Sequence, residues 1–243
     1  MNGKPSGCSR GDQVVLGVAM VLPLVITWVY FILLSGGHPG LQRGVAIVGK
    51  SAQFALPVVW VGLICRERLG WIAPTWRGVS GGFGFGLLVF VTMIVAWQHL
   101  FEPRGVLDSA TDEIRNKVIE LGVDSFAGYL ILGVFYCLVH SLLEEYYWRW
   151  FVFGRLRRYV PIGWAILLSS IAFAAHHVVL LTTYFGWFSP WAWLFSVSVV
   201  VGGAFWAWLY QRSGSLYGPW ISHLLIDAAI FLIGYQMMGD LLM

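Results

Sequence analysis

Charge is what this sequence has least of. Only 11% of its 243 residues are Asp, Glu, Lys or Arg, where a soluble domain carries about a quarter. Hydrophobic residues make up 58% and the mean hydropathy is +0.75. A water-soluble globule of this size would have too little polar surface to cover such a composition. Soluble enzymes and disordered tails are excluded. The net charge of +3 is too small to address a polyanion, so no nucleic-acid partner is expected. Cysteine is scarce as well. Cys8, Cys65 and Cys137 are widely spaced with no CxxC, which gives neither a disulfide framework nor a thiolate metal site. Tryptophan and tyrosine are plentiful instead, at 14 and 10, and both rings favour the two faces of a bilayer.

Long uncharged runs supply the architecture. The first, Val14 to Leu34, exceeds the roughly 7–15 apolar residues of a signal-peptide core and lacks a small-residue cleavage site after it. It is expected to stay in place as a membrane span. Further spans are expected near Gly44–Cys65, Val79–Leu100, Ser125–Phe153, Ile162–Thr182, Trp187–Tyr210 and Leu216–Met238. All should be helices, since open strands leave backbone groups unpaired in lipid. The fold class is therefore an all-α polytopic membrane protein, read as one domain over 1–243. Residues 101–124 mix six acids with apolar Val118, Ile119 and Leu121, as an amphipathic surface helix does. An eighth, short or re-entrant span there is the alternative.

Basic residues set the expected orientation. Lys4, Arg10, Arg66, Arg68, Arg77, Arg155, Arg157, Arg158 and Arg212 fall in alternate loops. By the positive-inside rule the N-terminus is cytoplasmic and, with seven spans, the C-terminus is outside.

Ionisable groups inside a membrane are costly and mark function by default. They concentrate late in this chain: His140, Glu144, Glu145 and Arg149 on the fourth span, His176 and His177 on the fifth, His223 and Asp227 on the seventh. Earlier spans add only Lys50 and Gln98–His99, so the last four helices are expected to hold a site and the first three to serve packing or access. Glu145 and Arg149 are four apart and share a helix face. Glu144 is rotated about 100° from Glu145, without an obvious local partner. His140 precedes Glu144 by four, and His223 precedes Asp227 by four. His140 fits a supporting or a packing role, and His176 a packing role.

Glu144-Glu145-Tyr146-Tyr147-Trp148-Arg149 fits EExxxR, Phe173-Ala174-Ala175-His176-His177 fits FxxxH, and His223-Leu224-Leu225-Ile226-Asp227 fits HxxxN/D. Three such motifs in this order, on separate hydrophobic helices, resemble the CPBP family of intramembrane proteases, also called the CAAX protease or bacteriocin-processing family. The likeness covers about residues 125–235, so 125–238 reads as the catalytic helical core and 1–124 as N-terminal helices with an amphipathic loop. Asp227 stands where the prenyl-protein endopeptidases usually have Asn, and a carboxylate donates a hydrogen bond only when protonated.

The resemblance implies an endopeptidase that hydrolyses a peptide bond near the C-terminus of a membrane-anchored protein or peptide, in the cell membrane. It implies Glu144 as general base with His177 sharing the attacking water. His223 and Asp227 would orient the scissile carbonyl or stabilise its oxyanion, with Glu145 and Arg149 as the internal pair that fixes the helix face. No cofactor is expected. HExxH is absent, but His140, His177 and His223 with Glu144 are N and O donors of a kind zinc accepts, so a zinc-dependent version is the alternative. Serine or cysteine catalysis is disfavoured: GxSxG is absent, and Cys137 lies two turns from Glu144. A non-catalytic membrane binding protein of the bacteriocin self-immunity type is the rival class, and a proton-relaying transporter a third.

Overall fold

A computed structural model describes residues 9–68, 70 and 72–242. Every regular element among them is helical. Seven helices are long and apolar enough to cross a membrane: α1 Gly11–Leu33, α2 Gly40–Ile64, α3 Trp76–Arg104, α5 Phe126–Leu156, α6 Ile162–Phe185, α7 Pro190–Ser213 and α8 Tyr217–Met238. The intervening α4, Asp108–Leu121, has 14 residues, about 21 Å of helix, short of the roughly 30 Å hydrocarbon core. It is too short for an eighth full crossing. Among the described residues Cys137 is a free, half-buried thiol.

Local sequence explains the helix ends. Thr75 and Ser125 begin α3 and α5 by accepting from the backbone N–H of Gly78 at 3.2 Å and Gly128 at 3.1 Å, the N-cap role that short hydroxyl side chains favour. Gly122 closes α4 with φ +72°, a conformation glycine adopts without penalty.

The chain forms two compact units, and the division falls inside α5, between Glu145 and Tyr146. The first unit holds α1, α2, the second half of α5, α6 to Thr183 and most of α7. Within it Pro23 interrupts α1. A proline has no N–H to give residue i−4, so the carbonyl of Ala19 loses its helical donor. Tyr147 of α5 fills that place: its hydroxyl donates to Ala19 O at 2.7 Å, and both residues are fully buried. At one end of the same unit Asp12 is buried and accepts from Trp60 Nε1 at 2.7 Å, Tyr159 OH at 2.8 Å and Arg155 Nη1 at 2.9 Å. Arg155 also grips Glu67 with two bonds of 3.0 Å. These bonds tie the head of α1, the tail of α2 and the end of α5 together.

The second unit holds α3, α4, the first half of α5 and, from Leu209 onward, α8. Gly78, Gly82 and Gly86 face Gly218 and Ser222 across the α3–α8 contact. A Cβ at Gly82 would stand 2.0 Å from Gly218 O, and one at Gly86 2.8 Å from the Ser222 Cα. Small residues let helix backbones close on one another in lipid, where dispersion replaces the hydrophobic drive. The amphipathic α4 lays Ile114 and Val118 on a cluster of Trp97, Tyr129, Met237, Met238 and Leu242. Arg115 of α4 donates to the carbonyls of Met237 at 3.1 Å and Met238 at 3.3 Å, supplying a cation to the C-terminal end of α8.

Candidate active site

The fourth span is not a uniform α-helix. Phe135–His140 and Tyr146–Phe153 wind with the wide turns of a π-helix, and only the five residues Ser141–Glu145 between them are α-helical. Wide turns also close α1, α2 and part of α3, at Val29–Leu33, Val59–Ile64 and Trp97–Phe101, so they do not single out this span. Both carboxylates lie in that short segment, and both are buried, Glu144 at 2% exposure and Glu145 at none.

Within the second unit the structure gathers five of the expected site residues. His223 of α8 lies at their centre. Its Nδ1 is 2.9 Å from Glu145 Oε1. An ionised carboxylate can only accept, so the ring donates from Nδ1 and presents Nε2 on its other side. There Nε2 stands 3.8 Å from Glu144 Oε2 and 3.7 Å from Asp227 Oδ1. His140 Nε2 reaches the other Glu144 oxygen, at 3.8 Å. Glu144 therefore sits between two imidazoles, one of them His140, which precedes it by four on the same helix. Glu145, expected to face Arg149, also holds His223.

Why α8 delivers His223 to this place follows from α3. The next residue upstream, Ser222, is fully buried against Gly86, and Trp220 donates from Nε1 to Leu138 O of α5 at 3.0 Å. Trp220, Ser222 and His223 thus seat one turn of α8 through three neighbouring side chains. Ring contacts support the other end of the cluster: Tyr136 lies 4.7 Å from His140 and 5.6 Å from Phe231, centroid to centroid. Ser141, the only buried hydroxyl on the short α segment, donates to its own helix at Cys137 O, which ties up the group that a serine mechanism would need free.

The first unit carries the remaining residues. His177 has Nδ1 3.2 Å from Phe173 O. A carbonyl accepts, so Nδ1 bears the hydrogen and Nε2 keeps its lone pair, the form a base or water-holding imidazole needs. His176 is buried, with its ring parallel to that of Trp148 at 6.1 Å and 4.1 Å from that of His177. Arg149 is 2% exposed, and its guanidinium lies over the rings of Phe173 and Trp206, at 4.6 and 5.0 Å from their centroids. Trp206, on α7, was missed from sequence, because an aromatic residue in a membrane helix reads first as packing.

Comparison with known proteins bears on this arrangement. Residues 126–229, somewhat under half of the chain, match the family model of the type II CAAX prenyl endopeptidase Rce1-like proteins. The matched segment is thus similar to a family of CAAX-type prenyl endopeptidases. The matched segment begins at the first residue of α5 and ends two residues past Asp227, so it spans all three motifs. No curated protein and no solved structure matches the chain.

Proposed function

We propose that this protein is a CAAX-type endopeptidase that cuts a membrane-anchored protein or peptide near its C-terminus with water activated by Glu144. The observation that carries the reading is His223 held at Nδ1 by Glu145, with Nε2 turned toward Glu144 and Asp227. A carboxylate and an imidazole N–H set side by side provide a base for water and a donor for the oxygen of the carbonyl that water attacks.

In this scheme Glu144 takes the proton of the attacking water, and His177, through Nε2, holds that same water. As the tetrahedral intermediate forms, His223, doubly protonated among Glu144, Glu145 and Asp227, donates from Nε2–H to the developing oxyanion. Asp227 orients the His223 ring in place of donating itself, which accommodates a carboxylate at a position where the prenyl proteases usually have Asn. Glu145 fixes the orientation of the His223 ring through Nδ1, Arg149 steadies the helix face, and His140 supports Glu144. Glu144 then returns the proton to the leaving amine as the C–N bond breaks, so hydrolysis needs no covalent intermediate and no metal. Residues 125–238 form the catalytic core. The protein sits in the cell membrane with its N-terminus cytoplasmic and C-terminus outside. Its substrates belong to one of three classes: prenylated CAAX-like tails, peptide or bacteriocin precursors, or proteins with C-terminal sorting helices.

A zinc-dependent version of the same reaction has one observation in its favour: His140 and His223 flank Glu144 at 3.8 Å each, an N and O donor group that zinc accepts. The test is made in the membrane of the native host, with Glu144→Gln, Glu145→Gln and a chelator-treated wild-type sample compared by mass spectrometry of envelope proteins. The water-based reading expects Glu144→Gln, at normal abundance, to leave one or a few proteins with their C-terminal segment, and expects chelator to change nothing. Processing that survives in Glu144→Gln refutes it. Processing that stops in chelator assigns the reaction to zinc.

A further inference from the structure

Arg149, the arginine of EExxxR, sits against a pair of aromatic rings. Arg149 is buried in a membrane helix, where placing a guanidinium is costly. Two aromatic rings meet it in the first unit: Phe173, the first residue of FxxxH, and Trp206 of α7. Both centroids lie within the 6 Å over which a cation is drawn to the negative face of a ring. The rings also brace one another, edge to face, with centroids 6.0 Å apart at 69°. Trp148, the neighbour of Arg149, packs edge-on against Phe173 from 5.6 Å.

Backbone packing places Trp206 there. One turn before it, Gly203 has no side chain to keep α7 away from α6: a Cβ would meet Phe173 Cδ1 at 3.2 Å and Ser170 Cβ at 3.3 Å. Trp206 and Ala207 are buried, whereas Trp208 on the same helix is 44% exposed. Only one of these two tryptophans is turned inward.

We propose that Phe173 and Trp206 are positioning residues that hold Arg149 by its flat guanidinium, and so fix the rotation of the α5 turn that follows Glu144. The inference rests on the proteolytic reading of Glu144 and deepens it. It assigns a physical reason to the Phe of FxxxH, which is the seat for the Arg of EExxxR, and it brings α7 into the machinery although α7 bears no motif. Arg is required because its planar, permanently charged group stacks on rings, whereas the Lys ammonium is a compact, strongly hydrated point charge.

The test uses the full-length protein in lipid nanodiscs with an internally quenched farnesylated CAAX-type peptide as probe. Trp206→Leu and Arg149→Lys are each expected to lower kcat about tenfold with KM within about twofold, as positioning losses do. Trp206→Phe, which keeps a ring face, is expected to stay within about threefold of wild type. Trp208→Leu serves as the control and leaves kcat unchanged. A second readout needs no activity: tryptophans bearing one, two and three fluorines are incorporated at 206, which drains the ring face of negative charge. The melting temperature should then fall stepwise with fluorine number. Wild-type kcat in Arg149→Lys, or a melting temperature indifferent to fluorination, overturns the proposal. Undiminished cleavage in Glu144→Gln would sink the proteolytic scheme instead, and the fluorine series would still decide the clamp.

Discussion

Gly82 is the position where the smallest change should do the most harm. Its partner across the α3–α8 contact is a backbone carbonyl, Gly218 O, which a Cβ on residue 82 would approach to 2.0 Å. Ordinary contact starts near 3.4 Å, and a carbonyl inside a helix cannot rotate aside. The helices must therefore part by about 1.4 Å, and the neighbouring contacts of Gly78, Gly86 and Gly218 open with them. Overpacking of this kind costs roughly 1–3 kcal/mol, and the value here should lie at the upper end because backbone opposes backbone. The displaced helix carries His223 only five residues beyond Gly218, and a shift near 1 Å in a catalytic group costs on the order of 10²-fold in rate. Gly82→Ala is expected to lower the melting temperature in nanodiscs and to reduce turnover of a quenched farnesylated peptide about a hundredfold. Gly84→Ala is the matched control. Gly84 is exposed on the same helix with nothing within 4 Å of a Cβ, so alanine there should be neutral or slightly stabilising, by up to about 1 kcal/mol. If Gly82→Ala melts and turns over like Gly84→Ala, the close approach of α3 does not position His223 and the reasoning is refuted.

Three further outcomes follow from other contacts. Asp12→Ala strips Arg155 of one of its two carboxylates and removes the acceptor for Trp60 and Tyr159; a loss of roughly 3 kcal/mol is expected, read by thermal or denaturant unfolding in detergent. Tyr147→Phe leaves the Ala19 carbonyl, already without its helical donor beside Pro23, with no partner in an apolar setting, and should cost about 1–3 kcal/mol by the same measurement. Asp227→Asn should keep turnover within about tenfold of wild type, since an amide can still orient His223, whereas Asp227→Leu should lose about a hundredfold; equal activity in both would remove Asp227 from the site.

Much of this arrangement could be read from the sequence, for identifiable reasons. Scarce charge and long apolar runs fix a count of seven spans, and residues 101–124 betray α4 by mixing acids with Val118. Two of the motifs point to Glu144, Glu145, His223 and Asp227, which the structure gathers together with His140. What stayed hidden depends on geometry that periodicity does not carry. Helical spacing relates Glu145 to Arg149 on its own helix, but it carries nothing about the residue of another helix that Glu145 meets, which is His223. The contribution of α3 was invisible because a search for polar groups passes over glycines, whose effect lies in the absence of a side chain. The Asp12–Arg155 pair joins residues 143 apart, and Arg155 had a sufficient local explanation as a positive-inside residue. Trp206 reads as one tryptophan among fourteen until Gly203 shows which face of α7 is pressed inward.

The central claim is that Glu144 activates water for peptide hydrolysis, and it is tested most directly by turnover of the purified protein in nanodiscs. Wild type, Glu144→Gln and wild type with chelator are compared on the same quenched farnesylated peptide, with melting temperature recorded for each. Loss of a general base should cost on the order of 10²–10⁴-fold. The account predicts that loss in Glu144→Gln at an unchanged melting temperature, with full turnover in chelator. Turnover in Glu144→Gln equal to wild type would contradict it.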